Sequence, residues 1–193
     1  MKYLLLSVLS GYIIGSFPTG YLLTKLFGNK DIRETGSGST GATNVLRSSG
    51  NKKLALLTLL IDVFKGFLVS ILFLHSDHLY YAVISCLLGH VYPVWLKGHG
   101  GKGVATAAGI LLGICPYLTI ISAVIWIAVL KLTHISSVAS LSFVWSFFIL
   151  SLLVNSSTNL TILSSIILVF ICFTHRSNLI RLAKHKEKAF NKP

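Results

Sequence analysis

The sequence predicts an all-α membrane protein, a polytopic bundle of seven transmembrane helices with its N-terminus outside and its C-terminus cytoplasmic. Of its 193 residues, 53% are hydrophobic and only 11% are charged, and the mean hydropathy is +0.78. The apolar residues form long blocks, as membrane-spanning helices require. The 17 Lys and Arg residues give a net charge of +12, and nearly all of them lie between the blocks. The sequence therefore predicts one integral membrane domain over residues 1–193.

The first half of the chain contains three apolar blocks, which are Tyr3–Lys25, Leu54–Leu74 and Leu79–Leu96. The first block starts like a signal peptide, but it is too long and lacks a small-residue cleavage pattern, so we expect a spanning helix. Ser16–Pro18 and Gly20 predict a bend in its inner half. The segment Phe27–Lys53 is polar, which predicts a loop.

The second half begins with Val104–Leu130, which by length fits one span or two. Cys115-Pro116 predicts a break, because proline disfavours a helical residue before it. The part before the break would rise only about 16 Å as a helix, against a hydrocarbon core of about 30 Å. Leu141–Val154 and Leu160–Phe173 are the last spans, joined by the uncharged turn Asn155–Asn159.

Charge favours seven spans over six. With seven spans, Lys2 alone lies outside and Lys65 lies within a span, while every other cation faces the cytoplasm. With six, the cationic tail Arg176–Lys192 would face away from the two basic loops, against the positive-inside bias. The cytoplasmic cations are Lys25, Lys30, Arg33, Arg47, Lys52, Lys53, Lys97, Lys102, Lys131, Arg176, Arg181, Lys184, Lys186, Lys188 and Lys192. Seven spans also place every polar cluster on this one face.

The first polar cluster is a glycine-rich loop, GSGSTGATNVLR, over Gly36–Arg47. It contains G-x-G-x-x-G, but a dinucleotide fold is excluded because no strand precedes it. Glycines, hydroxyls, an amide and a guanidinium still suit a phosphate. The alternative is a flexible, solvated loop. The candidate substrate-binding residues are Gly36, Ser37, Gly38, Gly41, Thr43 and Asn44, with Arg47 as a candidate catalytic residue.

The second cluster is a basic glycine-rich loop, KGHGGKGVATAAG, over Lys97–Gly109. Its glycines allow several N–H groups to face one anion, and a helix N-terminus follows. It is not an ATPase loop, because Gly103 stands where the Walker A motif needs Ser or Thr. The candidates are Gly100, Gly101 and Gly103 for binding and Lys102 for catalysis. Upstream, His90 is either a general base or a hydrogen-bonded structural residue.

Further polar residues lie within or beside the spans. Asp62 and Lys65, at i and i+3 in the second span, predict either an internal ion pair or a substrate contact. Ser136 and Ser137 begin the sixth span, where their hydroxyls either cap the helix or bind a ligand. His175 and Asn178 lie one helical turn apart in an amphipathic tail, His175–Glu187, and form a third candidate group.

Several chemistries are excluded or unsupported. The sequence has no Ser-His-Asp set, no HExxH helix, no carboxylate pair and no HxxxxD signature of thioester-dependent acyltransferases. Cys86, Cys115 and Cys172 lack CxxC spacing, so we expect packed free thiols. We expect no metal site, even at His75 and His78, no cofactor and no nucleic acid partner.

Taken together, the clusters resemble the bacterial acyl-phosphate:glycerol-3-phosphate acyltransferases, integral membrane enzymes of phospholipid synthesis. The similar segments, in the family's order, are GSGSTGATNVLR (36–47), DVFKG (62–66), GHVYPVWLKGHGGKGVAT (89–106), SSVASL (136–141) and HRSNLIRL (175–182). Two positions depart from the family pattern. Ser39 stands where the family usually has Asn, and His185 replaces the glycine that usually precedes the terminal Glu187.

The resemblance implies acyl transfer from acyl phosphate to the 1-hydroxyl of sn-glycerol 3-phosphate, giving lysophosphatidic acid and inorganic phosphate. It also implies an enzyme of the bacterial inner membrane whose active site faces the cytoplasm, in contact with membrane lipid and transiently with a soluble acyl-phosphate-producing enzyme. Which loop holds which substrate stays open, as does the base, which is His90, His175 or a substrate phosphate oxygen. The alternatives are a transporter of a phosphate-ester anion and a non-catalytic scaffold.

Overall fold

The computed structural model describes residues 2–28, 31–154 and 157–189, and their regular structure is helical. The α-helices in these ranges are α1 (Lys2–Gly15), α2 (Thr19–Gly28), α3 (Ala42–Ser49), α4 (Lys52–Phe73), α5 (Leu79–Val91), α6 (Val104–Ile114), α7 (Pro116–Thr133), α8 (Ser136–Leu153), α9 (Thr158–Thr174) and α10 (Arg176–Ala183). Short 3₁₀ turns lie at Ile32–Glu34 and Val94–Leu96. The predicted charges at Lys30 and Lys192 and the first two residues of the predicted turn at 155–159 lie outside the described residues.

Five elements are long and apolar enough to cross a membrane. These are α1 with α2, α4, α5 with its 3₁₀ turn, α7 and α8, and the pair α9–α10, bent by 64°, raises the number to six. The helix α6 is apolar but has only 11 residues. An all-helical architecture with several membrane-length helices is therefore confirmed for the described residues, while seven spans and the orientation of the termini stay predictions.

The helices form two compact units, one up to Ile114 and one from Cys115 onward. In the first unit, α4 packs along α6 and α1 packs along α5. In the second unit, α8 packs against both α7 and α9. Large apolar side chains such as Leu72, Val124 and Val169 remain exposed, as expected for helices whose outer faces meet lipid.

Glycines allow the backbones of α4 and α6 to approach closely. A Cβ added at Gly66 of α4 would collide with the carbonyl oxygen of Thr106, and one at Gly109 of α6 would collide with that of Val63. Gly109 and Gly113 form a GxxxG pattern, which favours close helix packing in membranes. Gly11 and Gly15 of α1 form another, with carbonyls of α5 in the corresponding positions.

Both predicted breaks are confirmed. The helix α1 ends at Gly15 and α2 begins at Thr19, and Pro116 is the first residue of α7 with Cys115 as its N-cap. Gly20 was expected to contribute to the first bend, but it lies inside α2. There it allows the carbonyl oxygen of Thr40 to approach the helix, where a Cβ would collide.

The segment predicted as one loop, Phe27–Lys53, contains the amphipathic helix α3. Gly50 ends this helix in the left-handed conformation, with φ of 66°. The next residue, Asn51, then caps α4 by accepting from the N–H groups of Lys53 and Leu54. These are ordinary stop and start signals, so the helix was recognisable in the sequence.

Candidate active site

In the first unit, the loop 36–41 is built around the buried amide of Asn44. Its Nδ2 donates to the carbonyl oxygens of Ile32, Thr35 and Ser39 at 3.2, 3.0 and 2.8 Å, and its Oδ1 accepts from the N–H of Ser37 at 2.9 Å. The solvated-loop alternative therefore does not describe this segment. Asn44 acts here as the residue that folds the loop.

The two glycine-rich loops meet in the first unit. The N–H of Thr40 donates to the carbonyl oxygen of Gly100 at 3.3 Å, which links the loop 36–41 to the loop 97–103. The convergence expected from the sequence is thus present for these two clusters. Of the candidates in the first loop, Gly36 and Ser37 are exposed, while Gly38, Gly41 and Thr43 are half-buried.

The loop 97–103 is fixed to the end of α5 by its own backbone. The N–H groups of Gly100 and Gly101 donate to the carbonyl oxygens of Val91 and His90, both at 3.1 Å. Gly101 lies against the imidazole of His90, where a Cβ would collide with Nε2. Gly103 has φ of 88°, a conformation that favours glycine, and α6 begins at the next residue.

The cationic candidates of these two loops are half-buried. Arg47 lies in the last turn of α3, and Lys102 lies between two buried glycines, two residues before α6. Since a helix N-terminus favours negative charge, Lys102 and the start of α6 together produce an electropositive region.

Beneath this loop lies a buried network of three ionisable residues. Lys65 Nζ is 2.9 Å from Asp62 Oδ1, in an ionic contact whose angles are not those of a hydrogen bond. Lys65 Nζ also donates to the carbonyl oxygen of Phe17, in the break between α1 and α2, at 3.2 Å. His90 Nδ1 is 3.7 Å from the same Asp62 oxygen. The internal ion pair predicted from the i, i+3 spacing is therefore present.

In the second unit, the side chain of Glu187 gathers three other residues. Its Oε1 accepts from Ser137 Oγ at 2.9 Å and from Asn178 Nδ2 at 2.5 Å, and its Oε2 accepts from Arg181 Nε at 2.6 Å. Glu187 is 4% exposed at its side chain. Sequence analysis missed this role, because nothing local pairs residue 187 with residue 137.

Ser136 and Ser137 are buried at the start of α8. The N-cap of the helix is Ile135, and the Ser137 hydroxyl donates to Glu187, so capping does not explain Ser137. His175 is also buried, between α9 and α10, and its Nδ1 is 2.9 Å from the carbonyl oxygen of Ile171. His175 and Asn178 both point into the second unit, as their spacing predicts.

Two carboxylates outside the spans have perturbed acidity. Burial raises the pKa of Glu187, but the hydrogen bonds from Asn178, Arg181 and Ser137 outweigh burial, and the net pKa is lowered. The pKa of Asp31 is lowered to about 2, chiefly because Arg33 donates to it. Both residues therefore carry negative charge at neutral pH. Within the described ranges, no group of three or more His, Cys, Asp or Glu residues is placed to hold a metal.

His185 has a left-handed backbone, with φ of 53°. The resemblance described above leads us to expect glycine at this position, and glycine alone adopts such a conformation without steric cost. His185 therefore adopts a backbone conformation that carries a steric cost for a residue with a side chain.

Comparison with known proteins identifies the family. A family model described as glycerol-3-phosphate acyltransferase matches residues 5–185. The chain is 43% identical to the glycerol-3-phosphate acyltransferase of Pelagibacter ubique, covering 100% of this chain and 99% of the relative. It is 40% identical to that of Staphylococcus carnosus, covering 95% and 96%.

Solved structures agree with the sequence comparisons. The glycerol 3-phosphate form of PlsY (YgiH), an integral membrane glycerol 3-phosphate acyltransferase, is 32% identical and matches with a TM-score of 0.92 over 98% of this chain and 96% of that one. The lysophosphatidic acid form of PlsY matches with a TM-score of 0.89 at 31% identity, over the same shares. Residues 36–47, 62–66, 89–106, 136–141 and 175–182 all lie within the matched region, and this chain belongs to the glycerol-3-phosphate acyltransferase family of integral membrane proteins.

Proposed function

We propose that this protein transfers a fatty acyl group from acyl phosphate to the 1-hydroxyl of sn-glycerol 3-phosphate. The products are 1-acyl-sn-glycerol 3-phosphate and inorganic phosphate. The observation that carries this proposal is the meeting of two glycine-rich, cation-bearing loops through Thr40 and Gly100. The donor and the acceptor each carry a phosphate, so the reaction needs anion-binding backbone and cations of this kind.

The roles of the first unit follow from its loops. Ser37, Gly36, Gly38, Gly41 and Thr43 bind one phosphate with Arg47, whose planar guanidinium grips phosphate bidentately. Gly100, Gly101 and Gly103 bind the other with Lys102. Asn44 acts indirectly, by holding the first loop in shape.

The roles of the second unit rest on the resemblance of its segments 136–141 and 175–182 to the family. We assign His175 and Asn178 to positioning glycerol 3-phosphate, with Ser136 and Ser137 as further contacts. Because Asn178 and Ser137 are both held by Glu187, their orientations are set before substrate arrives.

The chemistry is a direct attack of the glycerol oxygen on the acyl carbonyl carbon. A C–O ester bond forms, the bond between the carbonyl carbon and the phosphate oxygen breaks, and the hydroxyl proton passes to a base or to the departing phosphate. Acyl phosphate is already activated, so the reaction requires neither a covalent nucleophile nor a metal. Proximity and charge neutralisation by Arg47 and Lys102 lower the barrier.

Phosphate release from purified protein tests this function. With acyl phosphate and glycerol 3-phosphate in detergent, we expect phosphate release that depends on both substrates. With acyl-CoA in place of acyl phosphate, the leaving group is free CoA, and we expect no release of CoA thiol. Lys102→Ala and Arg47→Ala should each lower kcat/KM by at least about a hundredfold, because each removes a cation that neutralises the charge developing in the transition state. The control is Lys53→Ala, an exposed cation at the start of α4. Near-normal activity in either loop variant contradicts the assignment.

The transporter alternative has its own readout. If the wild-type protein releases no phosphate but moves a phosphate ester across liposomes, the acyltransferase proposal is wrong. Release without transport supports it, and the same liposomes serve for both measurements.

We also propose the seven-span topology, with α6 as a short fourth span and the glycine-rich loops on the cytoplasmic side of the inner membrane. Single cysteines at Ser76 and Lys188 should react with impermeant reagents from opposite sides of oriented vesicles. Reaction from the same side contradicts this topology. A soluble acyl-phosphate-producing enzyme would then meet the basic cytoplasmic face, which co-sedimentation with vesicles at low and high salt tests.

A further inference from the structure

Three ionisable side chains lie beneath the loop 97–103, and none of them belongs to the phosphate-binding groups proposed above. Asp62, Lys65 and His90 are 2%, 4% and 6% exposed. Charged groups so deeply buried are costly unless they are paired and serve a purpose. Lys65 is accounted for by its contacts to Asp62 and to the Phe17 carbonyl. The burial of Asp62 and His90 still needs an explanation.

The first step concerns the carboxylate. Asp62 Oδ1 is buried and receives no hydrogen bond from any described residue. The nearest ring nitrogen is His90 Nδ1, 3.7 Å away. A buried carboxylate oxygen favours an N–H directed at it, because an unmatched acceptor is costly. Of the two neutral tautomers of His90, the one with its hydrogen on Nδ1 directs an N–H dipole toward this oxygen, so it is the tautomer that Asp62 favours.

The second step concerns the other side of the ring. Gly101 lies so close to the imidazole that a Cβ there would collide with Nε2, Cε1 and Cδ2. The same residue also donates its N–H to the His90 carbonyl oxygen at 3.1 Å. The edge of the ring that a general base would offer to substrate is thus covered by the loop itself. This contact favours support of the loop over proton transfer.

We propose that Asp62 and His90 are positioning residues for the loop 97–103, with Asp62 orienting the imidazole and the imidazole supporting Gly101, so that Lys102 is presented to a substrate phosphate. The inference rests on the proposed function for its kinetic consequence, but its structural part stands without it. Gly101 is covalently joined to Lys102, so displacement of the first displaces the second. Because Lys102 is assigned to binding a substrate phosphate, its displacement weakens binding of that substrate and raises the KM for it.

Two variants of His90 separate support from proton transfer. His90→Phe keeps a flat ring beneath Gly101 but has no nitrogen, whereas His90→Ala removes the support. Leu88→Ala, on the lipid-facing side of the same helix, is the matched control. The readouts are kcat and KM for each substrate and amide hydrogen exchange in peptides covering 97–103.

We expect His90→Ala to raise KM for one phosphate substrate by about tenfold, which is about 1.4 kcal/mol of binding free energy, and to speed exchange at Gly100 and Gly101. The KM of His90→Phe should stay within about threefold of the KM of the control, which is a small change compared with the tenfold rise expected for His90→Ala. If both variants lose kcat alike while exchange stays at the control rate, His90 transfers a proton and the proposal is overturned.

Asp62→Asn tests the electrostatic half of the proposal. It should speed loop exchange and raise the same KM, but it also leaves the Lys65 ammonium buried without its carboxylate. The double variant Asp62→Asn with Lys65→Met removes both charges and keeps the fold testable. Wild-type exchange in the folded double variant overturns the role of Asp62. If the wild-type protein shows no acyl transfer, the proposed function fails, and the exchange measurements still decide this inference.

Discussion

Replacing Glu187 tests how the second unit is held together. The carboxylate, 4% exposed, accepts hydrogen bonds from Ser137, Asn178 and Arg181 at 2.9, 2.5 and 2.6 Å. A hydrogen bond to a charged group contributes about 1.5–3 kcal/mol. Arg181 is 40% exposed, so water replaces much of its hydrogen bond when Glu187 is removed. The bond from Arg181 therefore contributes less to stability than the other two. We expect Glu187→Ala to lower the free energy of unfolding by about 3–5 kcal/mol.

Two further variants make this prediction specific. Glu187→Gln keeps one carbonyl oxygen for Ser137 and Asn178, and Arg181 then turns to solvent, so the loss should be about 1–2 kcal/mol. Arg181→Ala should cost less than about 1 kcal/mol, because that side chain is already half in water. Denaturant or thermal unfolding in detergent ranks the three variants by their loss of stability. If Glu187→Ala is no more destabilising than Arg181→Ala, the carboxylate does not hold the unit and the reasoning fails.

The acidity of Glu187 adds a pH dependence with a definite sign. The pKa of Glu187 in the folded state lies below its ordinary value of 4.5, so the folded state favours the ionised form. Its stabilising contribution is complete above the ordinary pKa and is lost as the pH falls through the lowered one. The stability difference between wild type and Glu187→Gln should therefore narrow on acidification below pH 4.5. A constant difference down to the lowest pH at which the wild type stays folded contradicts this account.

Three other substitutions test local features. Gly66→Ala places a Cβ against the Thr106 carbonyl and should destabilise by about 1–3 kcal/mol in thermal unfolding, whereas an unchanged midpoint contradicts close packing of α4 on α6. Asn44→Asp puts an oxygen where Nδ2 now donates to three carbonyls, and it should cost about 3 kcal/mol and increase proteolysis of residues 31–41. His185→Gly should raise the unfolding free energy by about 0.5–1 kcal/mol, because it relieves a left-handed non-glycine residue. A loss of stability there contradicts the backbone assignment.

Local rules predicted much of the fold. The breaks at Ser16–Pro18 and Cys115-Pro116 follow from proline, and the Asp62–Lys65 contact follows from i, i+3 spacing. The polar composition around α3 predicted a loop, although Gly50 and Asn51 are the stop and start signals of two successive helices. The glycine pairs of α1 and α6 follow the local pattern GxxxG, but the sequence does not show which helix packs against them.

Contacts between distant segments account for the rest. Asp62 and His90 are 28 positions apart, and Ser137 and Glu187 are 50 apart, so neither pair leaves a periodic signal in one sequence. The sequence indicated Ser137 and Asn178 as candidate substrate-binding residues, but it did not show that the Glu187 carboxylate accepts a hydrogen bond from both. For the same reason the sequence did not decide whether His90 is a general base or a structural residue. Its neighbours Asp62 and Gly101 favour the structural side, and the variants proposed above test that choice.

One segment of α4, residues 62–66, supports both ends of the loop 97–103. At its start, Asp62 faces His90, against which Gly101 rests. At its end, Gly66 lets the backbone of α4 touch Thr106, the third residue of α6. The helix α4 therefore supports the loop on both sides of Lys102, through Gly101 before it and Thr106 after it. A loop held this way loses little backbone conformational entropy when an anion binds, which is how preorganisation raises affinity. Residues 62–66, in the middle of a span, thus contact both ends of a loop that lies at the end of that span.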